Sequence, residues 1–201
     1  MWLIIVIIAV ALVIISFLLN FYRDPGREIP EGDNIVSAAD GRIIRIIDTS
    51  NKTIEVKKGF TGKIRTLTRD VAKECYVISI FMSPLDVHIN RAPISGKIKY
   101  IKHTKGSFFK AYDLEKSFEN EKNEIVIENK KLKIKVIQVA GFLARRIICD
   151  IKANQKVNKG QKIGMIALGS QTMLIIPEGV ELRVNLNDKV KAGQTVIAEM
   201  R

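Results

Sequence analysis

Few residues in this chain are equipped for chemistry: its 201 residues include two histidines, His88 and His103, and two cysteines, Cys75 and Cys149. His88 stands two residues after Asp86 in S-P-L-D-V-H-I-N-R-A-P (83–93). On an extended strand that spacing sends both side chains to one side, which suits an acid–base pair or a satisfied polar pair on a sheet face. His103 lies in K-H-T-K-G (102–106), where charged neighbours predict a solvated position. Asp40 precedes Gly41 in V-S-A-A-D-G-R-I (36–43), which by itself reads as an Asp-Gly turn. Gly169-Ser170 interrupts two apolar runs in I-G-M-I-A-L-G-S-Q-T-M-L-I-I-P (163–177). A two-residue loop with Gly first reads as a type II′ hairpin turn. The chemical alternative is that the Ser170 hydroxyl attacks the Gly169 carbonyl. Glycine suits that attack, because without a Cβ the hydroxyl can approach and the backbone can hold a strained conformer.

The commoner enzyme signatures are missing. There is no G-x-S-x-G elbow, no Walker loop and no dinucleotide fingerprint. Ser170, His88 and either Asp40 or Asp86 supply the residue types of a hydrolytic triad. A serine on a buried strand, however, has no loop or helix to form an oxyanion hole. Neither cysteine belongs to a C-x-x-C, and with two histidines a dedicated metal site is not expected. The cysteines sit in E-C-Y-V-I-S-I and R-I-I-C-D-I, contexts that read as buried thiols in a reducing compartment.

The elements that must position these residues are overwhelmingly strands. Short Ile- and Val-rich segments at 42–47, 53–56, 76–81, 97–101, 124–128 and 131–139 are separated by Gly, Asn, Asp and Lys turns, and several alternate polar with apolar. A helical period is plausible only near 69–75 and 112–120. The expectation is a mostly β domain, a barrel or sandwich with one or two short helices. One internal repeat is visible: N-Q-K-V-N-K-G-Q-K-I (154–163) matches N-D-K-V-K-A-G-Q-T-V (187–196) as N-x-K-V-x-x-G-Q-x-(I/V). Each copy reads as a polar turn, an inward Val, a Gly turn and a return strand. Such units recur in barrel-sandwich modules of the lipoyl and biotinyl type, whose opening strands A-D-G-R-I (39–43) and A-P-I-S-G-K-I (92–98) resemble. The exposed D-K-A or M-K-M of a lipoyl carrier is absent, so that fold is expected without the carrier function.

Trp2 to Leu19 is an almost unbroken apolar run, with Ser16 its one polar member. Eighteen helical positions at about 1.5 Å each span roughly 27 Å, enough to cross a thin bilayer. A signal peptide would show a basic stretch before the run and a small-x-small site after it. Neither is present, so residues 1–21 are expected to be an uncleaved anchor and 22–201 the functional domain. Arg23 and Arg27 follow at once, which predicts a body on the cytoplasmic side of the cell membrane. The formal net charge is +12. The basic residues, Lys135 among them, are scattered along strands without a nucleic-acid recognition element, so nucleic acid is not the expected partner. An anionic membrane surface or an ordinary solvated surface accounts for them more simply.

Taken in order, several blocks resemble one family, the pyruvoyl-dependent phosphatidylserine decarboxylases in their short proenzyme form. They are F-Y-R-D-P-G-R-E-I-P (21–30), V-S-A-A-D-G-R-I (36–43), F-M-S-P-L-D-V-H-I-N-R-A-P-I-S-G-K-I (81–98), G-S-F-F-K-A (106–111), S-F-E-N-E-K-N (117–123), I-Q-V-A-G-F-L-A-R-R-I-I-C (137–149) and L-G-S-Q-T-M-L-I-I-P (168–177). The resemblance implies self-cleavage at Gly169-Ser170 into a β-chain, 1–169, and an α-chain, 170–201, that stay together as a heterodimer open to further oligomerisation. It implies that Ser170 becomes a covalent pyruvoyl group, with no metal and no pyridoxal phosphate. A Schiff base between that ketone and the serine headgroup of a membrane phospholipid would then allow loss of CO₂ and give the ethanolamine lipid. His88 matches the acid that protonates the product, Asp40 the aspartate associated with self-processing, and Asp86 an acid beside the histidine. Longer members carry a second histidine, assigned to serine activation, where this chain has Arg91. Either His88 then serves both steps or Asp40 acts by another route. High Ile, Lys and Glu content points to a thermophile, and an archaeal source would make the lipid archaetidylserine. A membrane-anchored barrel-sandwich adaptor is the competing class; it would explain the anchor and the repeats but neither D-V-H nor L-G-S.

Overall fold

The computed structural model describes residues 1–50, 64, 66–106, 120–141, 146–167 and 170–200. The expected strand at 53–56 and the expected helix near 112–120, apart from Asn120, which forms a bridge, lie outside them, as does Gly169. The apolar run forms one helix, α1 (Trp2–Phe21), with no charged residue in its first or last turn. It is long and apolar enough to cross a membrane, and the window that qualifies it is wholly unburied. It ends where the Tyr22 N–H reaches Leu18 O at 3.0 Å, two residues before Asp24-Pro25, whose proline disfavours a helical residue ahead of it.

The remainder is mostly β. In chain order the strands are β1 (Asn34–Val36), β2 (Gly41–Asp48), β3 (Cys75–Met82), β4 (Ile89–Arg91) and β5 (Gly96–Thr104). Next come β6 (Lys122–Glu128), β7 (Lys133–Val139), β8 (Ile147–Cys149), β9 (Lys156–Val157) and β10 (Lys162–Ile166). The last are β11 (Ser170–Pro177), β12 (Val180–Leu182), β13 (Lys189–Val190) and β14 (Val196–Met200). They pair as one eight-stranded sheet, β13-β2-β3-β11-β7-β6-β5-β9, and two three-stranded sheets, β1-β14-β12 and β4-β10-β8. All recorded pairings are antiparallel. β11 lies centrally and is buried on both faces from Ser170 to Ile176, which is why its sequence is a continuous run instead of an alternation. One face carries Leu174 and Ile176 into the main core with Ile35, Ile43, Ile80 and Ile98. The other carries Met173 and Ile175 into a second cluster with Ile64, Leu67 and Cys75.

The sequence repeat is a structural repeat. Val157 and Val190 are both buried, and each pairs with a glycine, Val157 with Gly96 and Val190 with Gly41. Asn154 and Asn187 take positive φ (68° and 73°), and their N–H groups reach Ile98 O and Ile43 O, both at 2.8 Å. Asp40 and Ser95 are also equivalent: their side chains accept the N–H of Ala192 and of Lys159, each at 2.8 Å. The unit thus reads twice as glycine strand, asparagine turn, inward valine and return strand, supporting the barrel-sandwich expectation.

Four expectations need correction. The described helical residues are 64 and 66–68, and 69–75 is turn followed by strand; Cys75, Val77 and Ile78 belong to the sheet's buried pairing, which outweighs local helical period. Gly169-Ser170 does not close a hairpin: β10 and β11 lie in different sheets, so the segment between them is a crossover. Cys149 is exposed, because β8 is a short strand at the edge of its sheet, whereas Cys75 is buried. Lys135 is no surface cation. Its side chain is 2% exposed and its ammonium pairs with Asp70 at 2.6 Å and Glu124 at 3.1 Å and donates to Leu67 O at 2.7 Å. It fastens the segment around 66–70 onto the second face of the sheet.

Candidate active site

Ser170 opens β11 and is fully buried. It pairs with Met82 on β3, and its hydroxyl has a thioether for a partner, Met82 Sδ at 3.4 Å. Sulfur is a weak acceptor, so this hydroxyl is dry and poorly satisfied at the point where the chain crosses between sheets. Two further groups gather at the same sulfur: Thr172 Oγ1 at 3.6 Å and Asn90 Nδ2 at 4.0 Å. From there a buried polar chain runs through the core. Asn90 Nδ2 donates to Thr172 Oγ1 at 3.1 Å, Gln138 Nε2 to Asn90 Oδ1 at 2.9 Å, and Asn123 Nδ2 to Gln138 Oε1 at 2.9 Å. It joins β4 of the small sheet to β11, β7 and β6 of the large one. The cost of burying these amides is offset only because each finds a partner, so the chain fixes β4 against Ser170 at one register.

His88 immediately precedes β4 and is fully buried. Its carbonyl accepts the Ile166 N–H at 3.2 Å, tying it to the last residue of β10 before the crossover. Nδ1 lies 2.9 Å from the Asp86 carbonyl oxygen. A carbonyl only accepts, so Nδ1 carries the proton and Nε2 holds the lone pair. Nε2 is buried and has no hydrogen-bond partner among the described residues. The Phe21 ring covers the imidazole, with centroids 4.4 Å apart and planes tilted by 40°. Burial is the main influence on its protonation and lowers the pKa below the ordinary histidine value; the Asp86 carbonyl and carboxylate and Asp40 pull the other way, and Arg23 adds to the lowering. At neutral pH the site therefore contains an uncharged imidazole with a free lone pair.

Asp86 is not a strand partner of His88. Residues 83–86 form a turn initiated by Ser83-Pro84, and the Asp86 carboxylate closes it by accepting the Ser83 N–H at 2.8 Å. It is the backbone carbonyl of Asp86 that orients the imidazole. Asp40 is engaged on both oxygens: Arg27 Nη2 donates to each at 2.9 Å, and Ala192 N–H donates to Oδ1 at 2.8 Å. The pair is nearly dry, with side-chain exposures of 5% for Arg27 and 12% for Asp40. Arg91 faces the juxtamembrane segment, donating to Gly160 O at 2.9 Å, to the Asp24 carboxylate and to Pro25 O at 3.4 Å. His103 is a half-exposed surface residue, 3.3 Å from Glu121. Among the described residues no cluster of three or more His, Cys, Asp or Glu could hold a metal ion.

Sequence reasoning missed Asn90, Thr172 and Gln138, and missed Phe21 and Arg27 as part of the site. A partial signal existed for the first three, since each is an uncharged polar residue next to a strand-forming apolar one: Asn90 beside Ile89, Thr172 beside Met173, and Gln138 between Ile137 and Val139. Phe21 and Arg27 fall within the block at 21–30 that carries the family resemblance, but nothing in it marks them as partners of His88 and Asp40.

Comparison with known proteins places these features in one context. A family model described as phosphatidylserine decarboxylase matches residues 14–198. A protein of Methanocaldococcus jannaschii named as an archaetidylserine decarboxylase proenzyme is 47% identical over 191 residues, covering 94% of this chain and 92% of the relative. Phosphatidylserine decarboxylase proenzymes of Chlorobium phaeovibrioides and Chlorobium luteolum are 41% and 42% identical, covering 94% and 96% of this chain and 80% and 84% of the relatives.

Proposed function

We propose, since this chain belongs to the phosphatidylserine decarboxylase family, that it is a proenzyme that splits itself before Ser170 and then decarboxylates the serine headgroup of a membrane phospholipid. The observation that carries the reading is the buried Ser170 hydroxyl with a thioether for its partner, at a crossover tied to a histidine whose Nε2 is free.

In the splitting step Ser170 Oγ attacks the Gly169 carbonyl carbon and the acyl group moves from nitrogen to oxygen, giving an ester. Loss of the Ser170 α-proton and cleavage of the Cβ–Oγ bond release Gly169 as a carboxylate and leave dehydroalanine. Its imine tautomer takes up water and expels ammonia, so residue 170 ends as a pyruvoyl ketone. The chains would be 1–169 and 170–201. β11 pairs with β3 and β7 along its length, a pairing that would keep the two chains together. The site residues fit such a group: position 170 is dry, and the neighbouring donors Thr172 and Asn90 are held by the buried network. When formed, the ketone supplies an electron sink for the substrate amine, the role cofactors with activated carbonyls fill elsewhere.

His88 is the group that moves protons. Its neutral Nε2 can take the proton from Ser170 Oγ during splitting. In the lipid reaction it can take a proton from the substrate ammonium and return it to the carbon that loses CO₂. One histidine then serves both steps, and the alternatives are otherwise occupied: Arg91 is bound to Asp24, Pro25 and Gly160, and Asp40 to Arg27 and Ala192. Asp40 and Asp86 act as positioning residues, the first clamping Arg27 to the turn before β14, the second fixing the turn that aims His88.

The membrane part of the reading rests on α1 and on Arg23 and Arg27 just beyond it, which favour a body on the cytoplasmic face. A net charge of +12 suits a surface of anionic lipid. The headgroup chemistry is the same for diacyl and archaeal ether lipids, and the M. jannaschii relative favours the latter. Denaturing intact-mass measurement tests the proposal. The purified protein should give two chains, the smaller matching 170–201 with its first residue converted to pyruvoyl, and should form ethanolamine lipid from phosphatidylserine vesicles. Ser170→Ala should stay one chain and form none. A wild-type protein that persists as one species at its growth temperature would overturn the reading.

A further inference from the structure

Helix α1 is more than a tether. Its apolar side chains are exposed along nearly the whole length, yet Phe21 in its last turn is 2% exposed. Phe21 lies on His88 and, with Val87, Ile89 and Met165, forms an apolar cluster separate from the main cores, against which Phe17 also packs. Residues 20–27 are fastened around this contact by three arginines. Arg23 donates to Asn20 O at 2.5 Å and to Leu85 O at 2.8 Å, gripping the turn that carries Asp86. Arg91 holds Asp24 and Pro25 O, and Arg27 holds Asp40. A helix that only kept the enzyme at the membrane would need none of these bonds, because a loose linker would serve as well.

We infer that Phe21 is a positioning residue for the reaction: the last turn of the anchor is a wall of the active site that keeps water from His88 and holds its ring with Nδ1–H on the Asp86 carbonyl and Nε2 free. The inference rests on the role given to His88 above. Among the described residues the charged groups that act on His88 are Asp86, Asp40 and Arg23. Its flanking residues Val87 and Ile89, Met165 of β10 and the aromatic residues of α1 bring no charge. Removing Phe21 therefore leaves the local charges in place and changes mainly the access of water. Since burial is what lowers the His88 pKa, admitting water should raise it.

The test uses the full chain in detergent micelles, isotope-labelled at histidine, in a Ser170→Ala, His103→Gln background in which His88 gives the one imidazole signal. Phe21→Ala should move the His88 titration upward toward the ordinary histidine value, while Phe21→Leu, which keeps an apolar cover, should stay near the parent. Leu19→Ala, on the 72% exposed lipid side of the same turn, should not shift it. With Ser170 intact, Phe21→Ala should slow self-splitting about tenfold and Phe21→Leu by less than about threefold, as expected when a reacting group loses its fixed position. Should Phe21→Ala fail to fold, Phe21→Val should give an intermediate upward shift. A His88 titration unmoved in the alanine or valine variant, or moved equally by Leu19→Ala, would overturn the inference. A wild type that never splits would instead remove the proton-carrier role while leaving the titration contrast readable.

Discussion

Replacing Asp40 by alanine deprives Arg27 of its carboxylate and Ala192 of its acceptor in one step. The Arg27 side chain is 5% exposed, and its Nε is already buried without a partner among the described residues, so the guanidinium has little water to turn to. Removing one member of a buried ion pair costs about 3–5 kcal/mol, chiefly because the other charge is stranded. For a domain of this size each kcal/mol moves the melting temperature by about 2–4 °C, so Asp40→Ala should melt roughly 10 °C below its parent. The measurement belongs in the Ser170→Ala proenzyme, where chain splitting cannot contribute to the difference. The paired variant Arg27→Met, Asp40→Asn removes both charges and keeps an amide oxygen for the Ala192 N–H; it should recover to within about 2 kcal/mol of the parent, as apolar replacement of buried pairs generally does. With Ser170 restored, that pair should split within about tenfold of the wild-type rate. If Asp40→Ala melts within a degree or two of the parent, the buried-pair reasoning fails. If the paired variant is stable but never splits, Asp40 has a chemical role and is more than a clamp.

His88→Gln should leave the chain whole, read by intact mass. For the wild type, the sign follows from a folded pKa lowered by burial: splitting should hold through neutral pH and below the ordinary histidine range, then fail as His88 protonates. The same shift makes the fold lose stability as pH falls below about 6.5, because the unfolded chain takes up that proton first; chemical denaturation at a series of pH values reads this, with His88→Gln removing that part. Burial pushes the Cys75 thiol up to about 11 while Cys149 is exposed, so a maleimide at pH 7.5 should label Cys149 alone, by peptide mapping. Gly41→Ala should cost about 2–4 kcal/mol, because φ is +144° and an added Cβ would sit 2.1 Å from Phe81 O. Gly179→Ala, at φ +104° with nothing within 4 Å, should cost about 1 kcal/mol.

Much of the fold was legible because strand patterning is local. Residues 42–47, 76–81 and 97–101 fall inside β2, β3 and β5, and the repeat showed where two equivalent turns would lie. What the pattern could not carry was which strands share a sheet. The apolar runs on either side of Gly169-Ser170 look like the arms of a hairpin, yet β10 takes β4 and β8 as neighbours while β11 takes β3 and β7. Sheet membership depends on side chains far away in sequence, such as Asn90 reaching Thr172. The site was half legible for the same reason. Residue type picked out His88, Asp40 and Ser170, but the charged partner of Asp40 and the cover over His88 come from residues 21–27, placed by packing that no local spacing encodes.

Arg91 stands where the family resemblance leads one to expect a second histidine, and its contacts give it a different role. An arginine at that position cannot act as a base, but its fork can bind several acceptors at once, and here it takes a carboxylate and two carbonyls. It thereby pins Asp24-Pro25, shortly beyond the anchor, to the turn before β10. Arg23 and Arg27 pin the neighbouring residues to the Asp86 turn and to Asp40. The three arginines hold Phe21 against His88 from outside while the Asn90–Gln138 network holds β4 from inside. On the proposed mechanism such a site relies on one histidine, because the cover over His88 and the strand that follows it are both fixed. In a relative with a second histidine in place of Arg91, this grip on residues 24–25 would have to be made by other groups or be absent, and the dependence of the reaction on the anchor's last turn should weaken accordingly.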